Sequence, residues 1–236
     1  MEKKSTHKPI LIAGPCSLEG YEMADRYSYQ LGNLANKYGF EFVFKASFDK
    51  ANRTSLYSKR GLGLEHAMLI FEKLRCKITT DIHEPWQAEK VAPYVDIIQI
   101  PAFLCRQTDL LVAAGETGST VNIKKGQMVS GKSMIHAVEK IGHDDVLLTE
   151  RGSMFGIDDL VVDMRQVQDM QKTVPVIMDC THSTTPEYTA CIARCGQALG
   201  VRGYFFEVHE DPSKAWSDGS KSIKINEFED ILKQIC

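Results

Sequence analysis

The chain has 236 residues, 43% hydrophobic and 25% charged, with 28 Lys+Arg against 31 Asp+Glu and a formal net charge of −3. That composition excludes a disordered or polyionic chain, and charge so near balance gives no global attraction to nucleic acid or an anionic membrane, so any anion site must be local. No window approaches the ~18 consecutive apolar residues of a membrane span, and the seven cysteines (16, 76, 105, 180, 191, 195, 236) are odd in number with no C-x-x-C pair, unlike a secreted disulfide framework.

At the N-terminus, basic residues precede a short apolar stretch, Ile10–Ala13, and Pro15 follows. That stretch is shorter than the ~7–15 residues of a secretion-signal core, so it reads as a buried strand of a cytoplasmic protein. Further β-rich runs are Phe40–Phe44, Ile78–Asp81, Ile97–Ile100, Thr120–Ile123, Val146–Leu148, Val174–Met178 and Tyr204–Phe206. Continuous apolar runs of this kind fit parallel strands buried on both faces. Helical spacing lies between them: Leu64, Ala67, Met68, Phe71 and Leu74, then Asp159–Lys172, then Pro186–Leu199 opening on a proline. Cys191 and Cys195, at i and i+4 in the last of these, read as small buried thiols. Eight strand–helix units of about 30 residues, with no linker or composition shift, predict one domain over 1–236, a compact (β/α)8 TIM barrel. A doubly wound open sheet is the structural alternative, but no G-x-G-x-x-G follows a strand.

The residues after each run carry the chemistry. They are Gly14-Pro15-Cys16, Lys45, Asp81-Ile82-His83-Glu84, Gln99 with Pro101, Lys124-Lys125-Gly126-Gln127, Glu150-Arg151-Gly152, Asp179-Cys180-Thr181-His182, and Glu207-Val208-His209-Glu210. In a barrel all eight tips meet at one mouth. Cys16, His182 and Glu207, with Asp218 as the candidate aspartate, form a mixed S/N/O donor set suited to Zn²⁺ or Fe²⁺ rather than to Mg²⁺ or Ca²⁺. Spacing alone leaves a second reading open, in which His182 caps a strand end and Cys16 is a small core residue. The cations Lys45, Lys50, Arg53, Lys124, Lys125 and Arg151, with Arg60 and Arg106 further out, point to a small polyanionic substrate, most simply a phosphate ester. For Arg60 and Lys125 a solvated surface role is an equal alternative.

These segments, together with Phe44–Arg53, Pro101–Asp109, Asn122–Gln127, Thr149–Gly152, Asp179–Ser183, Glu207–His209 and Ser217-Asp218, resemble the 3-deoxy-D-manno-octulosonate 8-phosphate synthase family in order along nearly the whole chain. The resemblance implies a (β/α)8 barrel that condenses phosphoenolpyruvate with arabinose 5-phosphate and water. It releases phosphate and makes the sugar acid phosphate of the lipopolysaccharide inner core. It implies that Lys45, Lys50, Lys124 and Arg151 hold phosphoenolpyruvate, with His182 beside them as a catalytic residue and Asp81 and Gln99 among the substrate contacts. Asn52, Arg53 and Thr54 (commonly serine) would meet the pentose phosphate, and Arg106 would reach it from a neighbouring subunit of a homotetramer. Cys16, His182, Glu207 and Asp218 match the ligands of the metal-dependent branch, with Zn or Fe expected and Mn or another divalent ion as alternatives; the metal-free branch carries asparagine in place of Cys16. No nucleic-acid or membrane partner is implied.

Two alternatives stay open at this point. The related 3-deoxy-arabino-heptulosonate 7-phosphate synthases share the metal ligands but use erythrose 4-phosphate, and they carry a Lys-Pro-Arg-Thr pattern where this chain has Lys50-Ala51-Asn52-Arg53. A non-catalytic phosphosugar-binding barrel is the other alternative, because the chain departs from the family pattern in three places. A long glycine-rich loop is replaced by Thr184-Thr185-Pro186-Glu187 directly after Ser183, Ser130-Gly131-Lys132 stands where Pro-Trp is usual, and the helix before Lys77–Asp81 is short. Either the mouth is trimmed, or a segment is missing from the sequence as written.

Overall fold

The computed structural model describes residues 8–156 and 159–236, so the basic stretch at 1–7 lies outside the described residues. Eight parallel strands close into a barrel in sequential order: β1 (Ile10–Ser17), β2 (Glu41–Ser47), β3 (Lys77–Asp81), β4 (Ile97–Ile100), β5 (Thr120–Lys124), β6 (Val146–Glu150), β7 (Val176–Asp179) and β8 (Gly203–Glu207). The helices are α1 (Tyr21–Lys37), α2 (Leu64–Phe71), α3 (Pro85–Val91), α4 (Thr108–Glu116), α5 (Ile135–Glu139), α6 (Met164–Gln171), α7 (Thr189–Ala198) and α8 (Ile225–Ile235). This is the (β/α)8 barrel that the alternating pattern predicts. No helix among the described residues is long and apolar enough to cross a membrane.

The strands divide their side chains between two cores because successive residues point to opposite faces. Ile10, Ile12, Val43, Ile97, Leu147, Ile177 and Phe205 fill the barrel interior. Their neighbours Leu11, Phe44, Ile98, Leu148, Met178, Tyr204 and Phe206 join the larger core under the helices. On the helical side the same apolar layer is met at 3.6-residue spacing. In α1, Ala24, Tyr27, Leu31 and Ala35 are buried. In α8, Phe228, Ile231, Leu232 and Ile235 are buried, with the Phe228 ring edge-on to Phe206 at 5.3 Å. At the start of α3, Pro85 fixes the first helical residue while Gln87 Oε1 accepts the backbone N–H groups of His83 and Glu84.

Two sequence expectations need correction. Cys191 is exposed and Cys195 partly so, because α7 turns Thr189, Ala193 and Gly196 to the core instead. The helix expected over Asp159–Lys172 begins only at Met164, where Asp163 accepts the Arg165 N–H as its cap. The residues before it fold back, with Val161 paired antiparallel to Ser153.

The strand register is interrupted between Ala13 and Cys16 on β1, and Cys16 takes φ 69°, a left-handed conformation unusual outside glycine. Such a bulge re-aims the residue that follows it. Gly14 makes the close approach possible, since a Cβ there would lie 1.9 Å from the Lys45 carbonyl oxygen on β2. We predict that Gly14→Ala forces the two strands apart, costing about 1–3 kcal/mol and roughly 3–10 °C of thermal midpoint. Gly20→Ala, with open space around its added methyl, should stay within about 0.5 kcal/mol. Calorimetry showing equal midpoints for the two variants would remove the close approach as a constraint.

Candidate active site

Past the apolar layer, the inward-facing series of most strands becomes polar. Val43 is followed on its face by Lys45 and Ser47, Thr79 by Asp81, Ile97 by Gln99, Asn122 by Lys124, Ile177 by Asp179, and Phe205 by Glu207. All of these are buried. Lys45, Asp81, Gln99, Lys124 and Glu207 of this set line a cavity of about 390 Å³, together with Lys50, Arg151, His182 and Asp218. Asn52 and Arg53 line its outer wall, beside the loop that follows β2. Thr54 and Arg106 are not part of this wall; Arg106 instead borders a separate surface depression with Cys105 and Lys140.

Charges this close and this buried are arranged in alternation. Lys45 Nζ donates to the Cys16 carbonyl at 3.1 Å and to Ser47 Oγ at 2.7 Å, and stands 3.7 Å from both Asp81 Oδ1 and Glu207 Oε1. Ser47 Oγ donates onward to Asp81. Burial alone would depress the Lys50 ammonium, but the surrounding carboxylates of Asp81, Glu207 and Asp218 outweigh it and raise its pKa. Lys124 Nζ donates to Asp179 at 2.8 Å and sits 3.6 Å above the centre of the Phe205 ring, which belongs to the buried interior layer. Its burial lowers its pKa in spite of Asp179.

The donor set gathers on the other side. One ligand atom from each of Cys16, His182 and Glu207 lies within 4.8 Å of the others. Asp218 adjoins them, its Oδ2 accepting from Cys16 Sγ at 2.9 Å and standing 3.9 Å from His182 Nε2. Asp179 accepts from the His182 ring at Nδ1, 2.9 Å away, and so turns Nε2 toward Glu207 at 3.5 Å. Burial opposes the charged imidazole, yet Asp179 outweighs it and the His182 pKa is pushed up to about 10. Both carboxylate oxygens of Glu207 are buried without a hydrogen-bond partner. A thiol, an imidazole and two carboxylates with unspent acceptors around a cation-favouring spot fit a divalent metal ion.

Residues lining the same cavity carry further buried polar atoms without partners: Arg151 Nη1, Arg53 Nε, Gln99 Oε1 and His83 Nδ1. Buried groups of this kind call for a polar ligand. Two more of the expected cations, Arg60 from the outer pair and Lys125 from the inner set, fall outside it. Arg60 is exposed and paired with Asp49, and Lys125 is wholly buried, 3.6 Å from Glu150, donating to the Gly126 and Gly152 carbonyls. Asp179 is the residue that sequence reasoning left without a role. Its signal was the D-x-x-H spacing at the β7 tip, which lets one carboxylate hold both Lys124 and the His182 ring.

Lys45 and Lys50 hold the Asp81 pKa well below the carboxylate range against the effect of burial. A carboxylate whose folded pKa lies below its unfolded ~3.9 contributes stability that is present above that value and lost as pH falls toward the folded one. Asp81→Asn should therefore destabilise at pH 7, toward the lower end of the about 3–5 kcal/mol typical of a broken buried pair, since Glu207 still faces Lys45. The gap to the parent should narrow by pH 3. Urea midpoints that differ by the same amount at both pH values would show that the charge of Asp81 is not what stabilises.

The sequence profile of the DAHP synthetase I family matches residues 3–235. A protein of Fusobacterium nucleatum subsp. nucleatum, named 2-dehydro-3-deoxyphosphooctonate aldolase, is 45% identical over 244 residues, covering 95% of this chain and 88% of its own length. Proteins of the same name from Syntrophotalea carbinolica and Rhodopseudomonas palustris (strain CGA009) are 44% and 46% identical, covering 97% and 95% of this chain and 90% and 86% of theirs. The Fusobacterium alignment is longer than the part of this chain it contains, so the chain lacks stretches that this relative has. With the barrel, the profile and these identities in agreement, the chain belongs to the DAHP synthetase I family.

Proposed function

We propose that the chain joins phosphoenolpyruvate to arabinose 5-phosphate, consuming one water and releasing one phosphate, to give 3-deoxy-D-manno-octulosonate 8-phosphate. The observation that carries this reading is the convergence of Lys45, Lys50, Lys124 and Arg151 on one cavity beside the Cys16–His182–Glu207 cluster, in a chain about 45% identical to proteins named for that product. A cytoplasmic role in lipopolysaccharide synthesis follows from the product.

Phosphoenolpyruvate carries a phosphate and a carboxylate. Lys45, Lys50, Lys124 and Arg151 offset that charge and hold its C3 against the aldehyde carbon of the pentose, so that the new C–C bond forms between pre-oriented partners. Lys124 keeps a proton at Nζ between Asp179 and the cavity, and Phe205 beneath it excludes water from that side. Asn52 and Arg53, on the outer wall, meet the pentose phosphate, Asp81 and Gln99 contact the substrates between the two anion ends, and Arg106 serves the cavity of a neighbouring subunit in a homotetramer. Cys16, His182, Glu207 and Asp218 would hold Zn²⁺ or Fe²⁺, which supplies Lewis-acid polarisation of a substrate oxygen.

Phosphate release from phosphoenolpyruvate in the presence of each aldose phosphate tests the assignment. Turnover with arabinose 5-phosphate alone is expected. Turnover with erythrose 4-phosphate alone would transfer the chain to the seven-carbon reaction, and release with neither would leave a phosphosugar-binding barrel. Chelator treatment should abolish turnover, and Zn²⁺ or Fe²⁺ should restore it. Asp179→Asn removes the carboxylate that orients the His182 ring, so the dissociation constant for Zn²⁺ should rise by about 10–100-fold. Undiminished metal retention after dialysis would show that Asp179 serves Lys124 alone.

A further inference from the structure

Three loops at the cavity mouth carry one key group each. The loop after β6 begins with Arg151, the segment after β7 holds His182, and the turn after β8 holds Asp218. The β7 segment is short: after Ser183, only Thr184 and Thr185 precede a helical turn at Pro186–Tyr188. Short loops alone do not fix one another, and Asp218 sits in a demanding conformation, φ 49°. A non-glycine residue persists there only when its surroundings over-determine it.

Lys221 supplies a connection between all three. Its Nζ donates to Asp159 Oδ2 in the β6 loop at 2.8 Å and to the Thr184 carbonyl in the β7 segment at 2.9 Å. Its own backbone N–H donates to the Asp218 carbonyl at 2.9 Å, and Ser222 closes the same turn through its N–H at 3.0 Å and its hydroxyl at 3.1 Å. The β6 loop is folded so that it can be held from one point. Ser153 and Val161 exchange both backbone hydrogen bonds, at 2.8 and 2.9 Å, which returns the chain to bring Asp159 beside the β8 turn. Gly152, directly after Arg151, lies so close to Leu160 and Ser183 that an added Cβ would stand 2.9 Å from Leu160 Cβ and 3.4 Å from Ser183 Cα. The β6 and β7 loops are therefore in contact under the clasp as well as joined by it. Lys221 and Asp159 are 28% and 34% exposed in their side chains, and neither lines the cavity; they touch no group expected to meet substrate.

We propose that Lys221 is a positioning residue: by tying Asp159 and Thr184 to the Asp218 turn, it fixes the distance between the metal-ligand side and the anion side of the site. The proposal deepens the functional reading above and rests on it for what the two sides hold. It assigns to one partly exposed ammonium the work of keeping three short loops in register. An ordinary exposed ion pair couples its partners weakly. This one adds a backbone acceptor on a third loop and a strained ligand three residues away.

The full chain carrying Lys221→Met, Asp159→Asn, both together, or Lys221→Arg tests this with Zn²⁺ alone as probe. Zn²⁺ affinity is read by competition with a chromophoric chelator, and amide hydrogen exchange is followed at 218–222 and 183–185. Lys221→Met is expected to weaken Zn²⁺ binding by roughly threefold to tenfold and to speed exchange in both segments, with the thermal midpoint moving no more than about 4 °C. The double variant should lose no more than Lys221→Met alone, because that variant has already lost the Asp159 contact along with the Thr184 one, and Lys221→Arg should recover most of the loss. Unchanged affinity and exchange in Lys221→Met, or losses that add in the double variant, would overturn the proposal. A parent protein that releases no phosphate with either aldose would sink the functional reading instead. A parent that binds no Zn²⁺ would sink the metal reading, and hydrogen exchange would still decide whether the clasp exists.

Discussion

Closing eight parallel strands into a barrel obliges every second side chain to share one interior, and that constraint organises the whole molecule. Up to the level of Ile12, Val43, Ile97, Leu147, Ile177 and Phe205, the shared space is filled with hydrocarbon. One step further along most of the strands, the same geometry brings lysines, carboxylates and an amide together in buried positions. A barrel with an apolar layer and polar tips cannot avoid a charged chamber. What remains for the sequence to settle is how those charges are balanced.

The balance is achieved by interleaving the signs. Lys45 stands between Asp81 and Glu207, and Asp179 stands between Lys124 and His182. Each of these buried ions therefore has a counter-ion, which limits the desolvation cost that an isolated charge would incur. The pairing is incomplete in two places. Glu207 has acceptors to spare, and Arg151, Arg53 and Gln99 have polar atoms without partners. These unspent groups divide the chamber into a side that attracts a cation and a side that attracts anions. The bulge at Gly14 serves this division by turning Cys16 toward Ser217 and Asp218, with the Ser217 hydroxyl donating to its sulfur at 3.0 Å.

Much of this was legible in one dimension. The strand runs were placed by continuous β-branched and apolar residues, and the charged groups at their ends identified the mouth, because a strand's period of two leaves little freedom in where its next inward residue points. The helix ends were harder to read. Asp159 to Val162 look helical by composition but are drawn into a backfold by pairing with Ser153, a contact made across the loop. Cys191 and Cys195 share a face of α7 as expected, but which face meets the barrel depends on the orientation of the whole helix. Lys125 reads like its neighbour Lys124, and the two differ only because adjacent residues leave the strand in opposite directions, one into the chamber and one toward Glu150.

Length, near-neutral charge, the apolar runs and the residues at their ends determined by themselves a closed α/β barrel with cations and a mixed donor set at one mouth, because these follow from composition and from the fixed periods of strands and helices. The tertiary structure decided which atoms meet: that Asp179 serves Lys124 and His182 together, that Thr54 and Arg106 stand apart from the cavity, and that Lys221 reaches Asp159 and Thr184. Apart from the local Asp179–His182 pair, those contacts join residues 37 to 62 positions apart, and their distances are set by barrel closure and loop packing, which no local periodicity encodes.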